Sequence, residues 1–185
     1  MIADILRDAR QRMQKAVEAT QREFGGLRTG RASPALVEHI RIDYYGTPTP
    51  LNRIATISVP EPRLLVVQPW DKNALKAIEK AILQSELGLV PSSDGAVLRI
   101  PIPPLTEERR RDLVKVARRH AEEGRVAVRN IRREAKEMIE ELEDAHEISE
   151  DEAKRAQDEL QKLTDKFIAE IDALLEKKEA EILTP

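Results

Sequence analysis

The chain has 185 residues, of which 41% are hydrophobic, 35% charged and 3% aromatic, and its formal net charge is −3. It has no cysteine, which excludes disulfides and thiolate metal sites, and it has no apolar run long enough to span a membrane. We therefore expect a soluble, cytoplasmic protein with narrow cores and much charged surface, a composition typical of long helices.

The first predicted element is a helix over residues 2–28. Apolar or small residues recur on one face at intervals of three and four, namely Ile2, Leu6, Ala9, Met13, Ala16, Val17, Thr20, Phe24 and Leu27. Gly25 and Gly26 loosen the last turn, and the stretch Thr29-Gly30-Arg31 before Pro34 predicts a break in the chain.

Residues 31–104 have the pattern of a small inserted α+β domain. Strands are predicted at residues 40–44, 54–59, 64–67 and 97–100, because apolar residues there alternate or form short runs between turn residues. The stretch from Tyr45 to Pro50 has turn chemistry, and a helix is predicted to start after Asp71 and to end near Gly88.

A long basic helix is predicted from Leu105 to Leu142, with Thr106 as its cap and two glutamates in its first turn. Its apolar or small stripe comprises Leu113, Ala117, His120, Gly124, Val128, Ile131, Ala135, Met138 and Leu142. At roughly 100° per residue a second stripe lies nearly opposite. That stripe comprises Arg111, Lys115, Arg118, Arg125, Arg129 and Arg132, interrupted by Glu122.

The charges are segregated along the chain. Residues 106–133 hold ten basic and five acidic side chains, whereas residues 134–185 hold seven and eighteen. Exposed charge often only keeps a helix in solution, but a solubilising surface would mix the signs. The segregation therefore favours a basic face that binds an anionic partner.

A third helix is predicted after the capping box of Ser149 and Glu152. Three amphipathic helices predict a long antiparallel three-helix bundle made of residues 1–30 and 105–185. With residues 31–104 as the inserted domain, the expected fold class is two-domain α+β.

The sequence has no catalytic or metal constellation. His39, His120 and His146 are isolated from one another, and no glycine-rich phosphate loop is present. We therefore expect no enzyme activity, no cofactor and no metal. With so few aromatic residues, RNA binding is expected to use phosphates and shape, through arginine, and to depend strongly on salt.

Several stretches resemble the bacterial ribosome recycling factors, in that family's order and over the whole length. They are Leu27 to Pro34, Asp43 to Leu51, Ser85 to Leu89, Pro103 to Arg110 and Val128 to Glu134. The resemblance implies an L-shaped monomer, similar in outline to transfer RNA, in which a small β/α/β sandwich-like domain joins the bundle. It also implies a factor that binds the ribosome between its subunits and splits it together with elongation factor G and GTP.

The resemblance further implies that the bundle docks on large-subunit ribosomal RNA while the small domain moves, and that the pushed bundle disturbs an RNA bridge. The residues that match the family motifs as RNA contacts are Arg28, Arg31, Arg129, Arg132 and Arg133. The two connections between the predicted domains suggest a hinge at Gly30, Arg31, Pro103 and Pro104, because glycine widens and proline narrows the range of backbone angles.

The alternative hypothesis is a coiled-coil chaperone or adaptor that grips a protein partner. Such a protein would use exposed apolar grooves and would not need the arginine stripe. Co-sedimentation with ribosomes across a salt series separates the two hypotheses, since an adaptor should not show a steep loss of binding. An enzyme would have to turn over a substrate by itself.

Overall fold

The computed structural model describes residues 1–184, so Pro185, the last residue of the predicted bundle, lies outside the described residues. Its four α-helices are α1 Ile2–Gly25, α2 Leu75–Gln84, α3 Glu107–Asp144 and α4 Glu150–Leu183. Long helices together with a small sheet confirm the predicted α+β fold class. The chain divides into two compact units.

We call residues 1–24 with 114–180 the bundle unit, and residues 25–113 with the chain from Glu181 onward the sheet unit. The predicted domain boundaries, between residues 30 and 31 and between 104 and 105, stay a prediction.

In the bundle unit, α3 runs antiparallel to both other helices. As the residue numbers rise along α3, those of the paired residues fall along α4, from Arg118–Glu179 to Arg125–Asp172. The core stripe of α1 consists of Ala9, Met13, Val17, Thr20 and Phe24, at the spacing predicted.

The predicted apolar stripe of α3 was wrong at one position near its end. Met138 is 51% exposed, whereas Ile139 is fully buried. The buried residues Ile131, Ala135 and Ile139 follow one another at intervals of four. The step of three from Ala135 to Met138 in the predicted stripe therefore leaves the buried face. His120, also placed on the stripe, is only partly buried.

Local side chains explain where the long helices start and stop. The Thr106 hydroxyl accepts from the Arg109 N–H at 3.1 Å, as predicted for a cap. The Ser149 hydroxyl accepts from the Glu152 N–H at 3.1 Å, which forms one half of the predicted capping box. Between the two helices His146 adopts a left-handed φ of 57°. Two backbone hydrogen bonds end α3, from the His146 N–H to the Glu143 carbonyl and from the Glu147 N–H to the Leu142 carbonyl.

The sheet unit contains six strands, β1 Arg41–Tyr44, β2 Thr47–Pro50, β3 Ala55–Glu61, β4 Leu64–Pro69, β5 Ser92–Ser93 and β6 Leu98–Pro101. β1 and β2 form a hairpin, and the other four form an antiparallel sheet in the order β3-β4-β6-β5. Side chains from α2, such as Ile78 and Ile82, share one buried core with Leu65, Leu98 and Ile100 from the sheet.

The prediction of a turn from Tyr45 to Pro50 was wrong in its extent. Only Tyr45 and Gly46 turn, both with positive φ, and residues 47–50 pair with β1. Two prolines are tolerated in β2 because it lies at the edge of a two-stranded ribbon. The helix α2 ends at Gln84, earlier than the predicted end near Gly88.

Candidate nucleic-acid interface

The sequence pattern predicted that the arginine stripe of α3 lies nearly opposite the core. In the structure it does not. At roughly 100° per residue, the buried positions of α3 centre about a quarter turn from the stripe. The stripe therefore runs along the flank of α3 that faces α4, and two of its arginines reach carboxylates there. That position divides its members into two groups, those with and those without acidic partners.

Two arginines of the stripe are committed to holding α3 against α4. Arg118 Nε donates to Glu179 Oε1 at 2.7 Å, and Arg125 Nε donates to Asp172 Oδ1 at 2.7 Å. Only 19% of the Arg125 side chain is exposed. Burial alone would lower the pKa of Arg125, but its bonds to Asp172 and Glu122 outweigh that effect and raise it.

Glu122 ties two arginines of the stripe together. Arg125 Nη1 donates to Glu122 Oε2 at 3.1 Å, and Arg129 Nη1 donates to Glu122 Oε1 at 3.2 Å. Hydrogen bonds from Arg125 and then Arg129 lower the pKa of Glu122, although burial opposes them. Arg129 remains about half exposed, so part of its guanidinium is free to bind a partner.

Arg132 and Arg133 make no hydrogen bond or ion pair with any residue from 1 to 184 that could neutralise them. Arg133 is exposed and Arg132 is partly exposed. Each guanidinium offers five donors in a planar fork that matches phosphate oxygens. We call Arg129, Arg132 and Arg133 the arginine patch, and it brings together three of the five predicted RNA contacts on neighbouring turns of α3.

The other two predicted contacts, Arg28 and Arg31, lie in the sheet unit. Arg28 Nη2 donates to the carbonyl oxygen of Pro103 at 2.8 Å, so Arg28 already binds its own chain. Burial, and secondly the charge of Arg109, lower the pKa of Arg28. Arg31 is exposed.

The predicted hinge residues lie just outside two anchored positions. The Ala32 N–H donates to the Pro62 carbonyl at 2.7 Å, and the Ile102 N–H donates to the Arg63 carbonyl at 2.7 Å. Both connections are thus fixed to adjacent residues of the β3–β4 turn. Gly30 has a φ of 82°, a backbone angle that residues with a side chain rarely adopt. Pro103 and Pro104 are exposed.

The acidic partners were not found from the sequence, although a signal was present. Arg118 and Arg125 are seven residues apart, and so are Asp172 and Glu179. Equal spacing on two antiparallel helices predicts two matched pairs once the register is known. Pattern analysis of α3 alone could not supply that register.

Other kinds of site receive no support from the part of the chain that the structure describes. No group of three His, Asp or Glu side chains in residues 1–184 is placed to hold a metal. None of the helices described combines the length and the apolar character needed to cross a membrane.

Comparison with known proteins identifies the chain's relatives. The family described as Ribosome recycling factor matches residues 20–183. The ribosome-recycling factor of Carboxydothermus hydrogenoformans is 62% identical over 184 residues, covering 100% of both chains. The factor of Thermus thermophilus is 58% identical over 182 residues and covers 98% of both.

Solved structures agree with these relatives. A solution structure of ribosome recycling factor is 55% identical, with a TM-score of 0.77, and covers 98% of this chain and 97% of its own. A second structure presents the Thermus thermophilus factor and Escherichia coli elongation factor G bound to the Escherichia coli post-termination complex. It is 57% identical, with a TM-score of 0.70 and 100% coverage of both chains. These findings confirm the resemblance derived from the motifs, and the chain belongs to the ribosome recycling factor family.

Proposed function

We propose that this protein splits the post-termination ribosome into its subunits together with elongation factor G and GTP, and that it does so by docking its bundle on large-subunit ribosomal RNA. Its family membership supports the recycling role. The partners are those in the structure of the related Thermus thermophilus factor. The observation that carries the RNA docking is the arginine patch, where Arg132 and Arg133 lack an acidic partner within residues 1–184.

The chemistry of the patch suits a phosphate backbone. An unpartnered arginine binds a phosphate without first breaking an ion pair of its own protein, so more of the binding free energy remains for the partner. Only 3% of the chain is aromatic, so stacking of bases on aromatic side chains contributes little to the proposed binding. Arg28 and Arg31 are proposed as further contacts, and Arg28 would then have to share its guanidinium with the Pro103 carbonyl.

The test is the affinity of Arg132→Ala for purified large ribosomal subunits. Loss of one charge-assisted contact should weaken binding by about 1–3 kcal/mol and make the dependence on salt shallower. Arg118→Ala is the matched control, because it removes the same charge from the same helix but from an arginine paired with Glu179.

Equal affinities of Arg132→Ala and the unsubstituted protein at physiological salt would contradict the RNA docking. If Arg118→Ala weakened binding as much as Arg132→Ala, total charge and not the patch would be responsible. Both variants should also be assayed for subunit splitting with and without elongation factor G and GTP. Subunit splitting in the absence of elongation factor G or of GTP would contradict the proposed role.

We also propose that Gly30, Arg31, Pro103 and Pro104 form the hinge on which the small domain swings. The support is that anchoring at Ala32 and Ile102 confines free rotation to the residues outside them. Because the chain has no cysteine, an engineered disulfide between the small domain and the bundle would be its only one. The locked protein should bind ribosomes within a few-fold of normal but fail to split them, and reductant should restore splitting. Normal splitting by the locked protein would exclude the hinge.

A further inference from the structure

The seam between α1 and α4 carries a groove that the sequence pattern did not reveal. Two adjoining cavities, of about 620 and 600 Å³, share Arg10 and Lys166 in their walls. Together they extend along α1 from Leu6 to Glu18, which is about 18 Å at the helical rise. We call this the α1/α4 groove, and it lies entirely within the bundle unit.

Among the charged side chains that line the groove, bases outnumber acids, although α4 as a whole is acidic; Leu6, Leu163 and Phe167 also line it. Five bases line it, Arg7, Arg10, Lys15, Lys162 and Lys166. Only two acids, Glu18 and Glu159, line it with them. The excess of acid found in residues 134–185 is therefore not spread over every face of α4.

The bases of the groove are mostly uncompensated. Arg7 pairs with Asp4, but Arg10, Lys15 and Lys162 have no acidic partner among residues 1–184, and Lys166 lies over the Phe167 ring. On α3, Arg111, Arg118, Arg125 and Arg129 are paired, whereas Arg132 and Arg133 of the arginine patch, like the bases of the groove, have no acidic partner among residues 1–184. Exposed like charges kept together without counter-charges repel one another, and an anionic ligand relieves that repulsion.

The geometry favours an extended anion. Lys162 and Lys166 are one helical turn apart, about 6 Å along α4, and Arg10 faces the same cavity from α1. Gln11 and Gln14 continue the groove with neutral donors. A row of cations followed by amides suits the charged and neutral oxygens of a sugar–phosphate backbone.

The groove offers little of the exposed apolar surface that a membrane or an ordinary protein partner needs, because Leu6 and Leu163 are half-buried and Phe167 is buried. The large exposed hydrophobic side chains of the described residues, such as Tyr45, Trp70 and Met138, all lie outside it. A protein interface generally needs a buried aromatic or aliphatic anchor, and a membrane surface needs insertable apolar groups.

We propose that the α1/α4 groove is a second RNA-binding surface of the bundle, which takes the phosphate backbone of a ribosomal RNA strand separately from the arginine patch. The proposal rests on the proposed function for the identity of the RNA. It adds that the bundle is held on two of its flanks and that lysine contributes to binding as well as arginine.

The test compares two full-length triple variants with equal loss of charge. The groove variant is Arg10→Gln, Lys162→Gln and Lys166→Gln. The control is Lys72→Gln, Lys76→Gln and Lys80→Gln, at exposed positions of the sheet unit without ion pairs among the described residues. Both should keep the melting temperature, because all six side chains are exposed.

Binding to purified large ribosomal subunits is measured between about 50 and 200 mM KCl. The groove variant should lose roughly tenfold in affinity, and the slope of log affinity against log salt should become shallower by about 2, since three phosphate contacts are lost. The control should stay within about twofold of the unsubstituted protein. An affinity and slope equal to the control's would overturn the proposal.

Two further readouts separate the possible failures. A photoreactive amino acid at position 162 should cross-link to ribosomal RNA in the complex, and cross-linking only to ribosomal protein would overturn the proposal. Arg132→Ala is included in the same assay. If it weakens binding while the groove variant does not, only the groove proposal fails; if neither weakens binding, the RNA docking in the proposed function fails as well.

Discussion

The two units of the molecule form ion pairs over different distances along the chain: those of the sheet unit, such as Arg99–Asp94, are local, and some of those in the bundle unit are not. In the bundle unit, ion pairs such as Arg118–Glu179 and Arg12–Glu134 join helices that are far apart in sequence. In the sheet unit, the carboxylates of Asp43 and Asp94 accept from backbone N–H groups within three residues. The ion pairs between helices thus depend on the register of the bundle, whereas the carboxylates of Asp43 and Asp94 stabilise turns that form locally.

The tight packing of α3 at Gly124 against Thr20 of α1 gives the largest expected effect. A Cβ added at Gly124 would lie 2.2 Å from Thr20 Oγ1 and 3.2 Å from Ile171 Cδ1. Gly124→Ala should destabilise the protein by about 1–3 kcal/mol through overpacking, although alanine favours helix by about 1 kcal/mol. Urea unfolding measures the difference.

Thr20→Ala, combined with Gly124→Ala, tests the cause of that loss. Removing Oγ1 takes away the nearest clash, so the double variant should recover much of the lost stability and the two substitutions should not be additive. Additive losses would mean that the crossing of α1 and α3 does not limit the volume at position 124.

A second prediction separates arginines that hold the bundle from those that do not. Arg125→Ala removes bonds to Asp172 and Glu122 from a side chain that is mostly buried, and should cost about 1–2 kcal/mol of stability. Arg133→Ala on the same helix should change stability by less than about 0.5 kcal/mol. Equal effects in thermal unfolding would show that pairing does not distinguish the two arginines.

The smallest expected effect lies in the sheet unit. Backbone N–H groups of Val97 and Ala96, together with Arg99, lower the pKa of Asp94 from 3.8 to about 2. A depressed pKa stabilises the fold above the unfolded value, and that contribution is lost as pH falls from about 4 to about 2.

Asp94→Asn should therefore lower the melting temperature slightly near neutral pH, where the carboxylate is charged. Its difference from the unsubstituted protein should shrink as the pH is lowered through that window. A difference that stays constant down to pH about 2 would show that the charge of Asp94 does not contribute.

Much of the fold follows from sequence because helical periodicity and capping are local. The spacing of Met13, Val17 and Phe24 predicted the buried face of α1, and Thr106 predicted the start of α3. Met138 was misplaced because buried residues of a helix can follow one another at intervals of three or of four. The packing of neighbouring helices determines which interval occurs.

The remaining errors have the same origin in nonlocal contacts. β2 was read as a turn because its prolines are turn residues, and only pairing with β1 makes it a strand. The arginines of α3 are visible in the sequence, but the acidic partners of Arg118 and Arg125 on α4 could not be assigned from it. The charge pattern along the chain likewise concealed the bases of the α1/α4 groove, because they come from two helices.

The adjacent anchoring of Ala32 and Ile102 has a consequence for the order of folding. Once the β3–β4 turn holds both ends, the segment between Ala32 and Ile102 closes on itself, and the effective chain path between α1 and α3 becomes much shorter than that segment. Closing a short loop costs less entropy than closing a long one. Early folding of this segment should therefore speed the docking of α1 on α3, and a core substitution such as Ile78→Ala should slow the folding of helices that it does not touch.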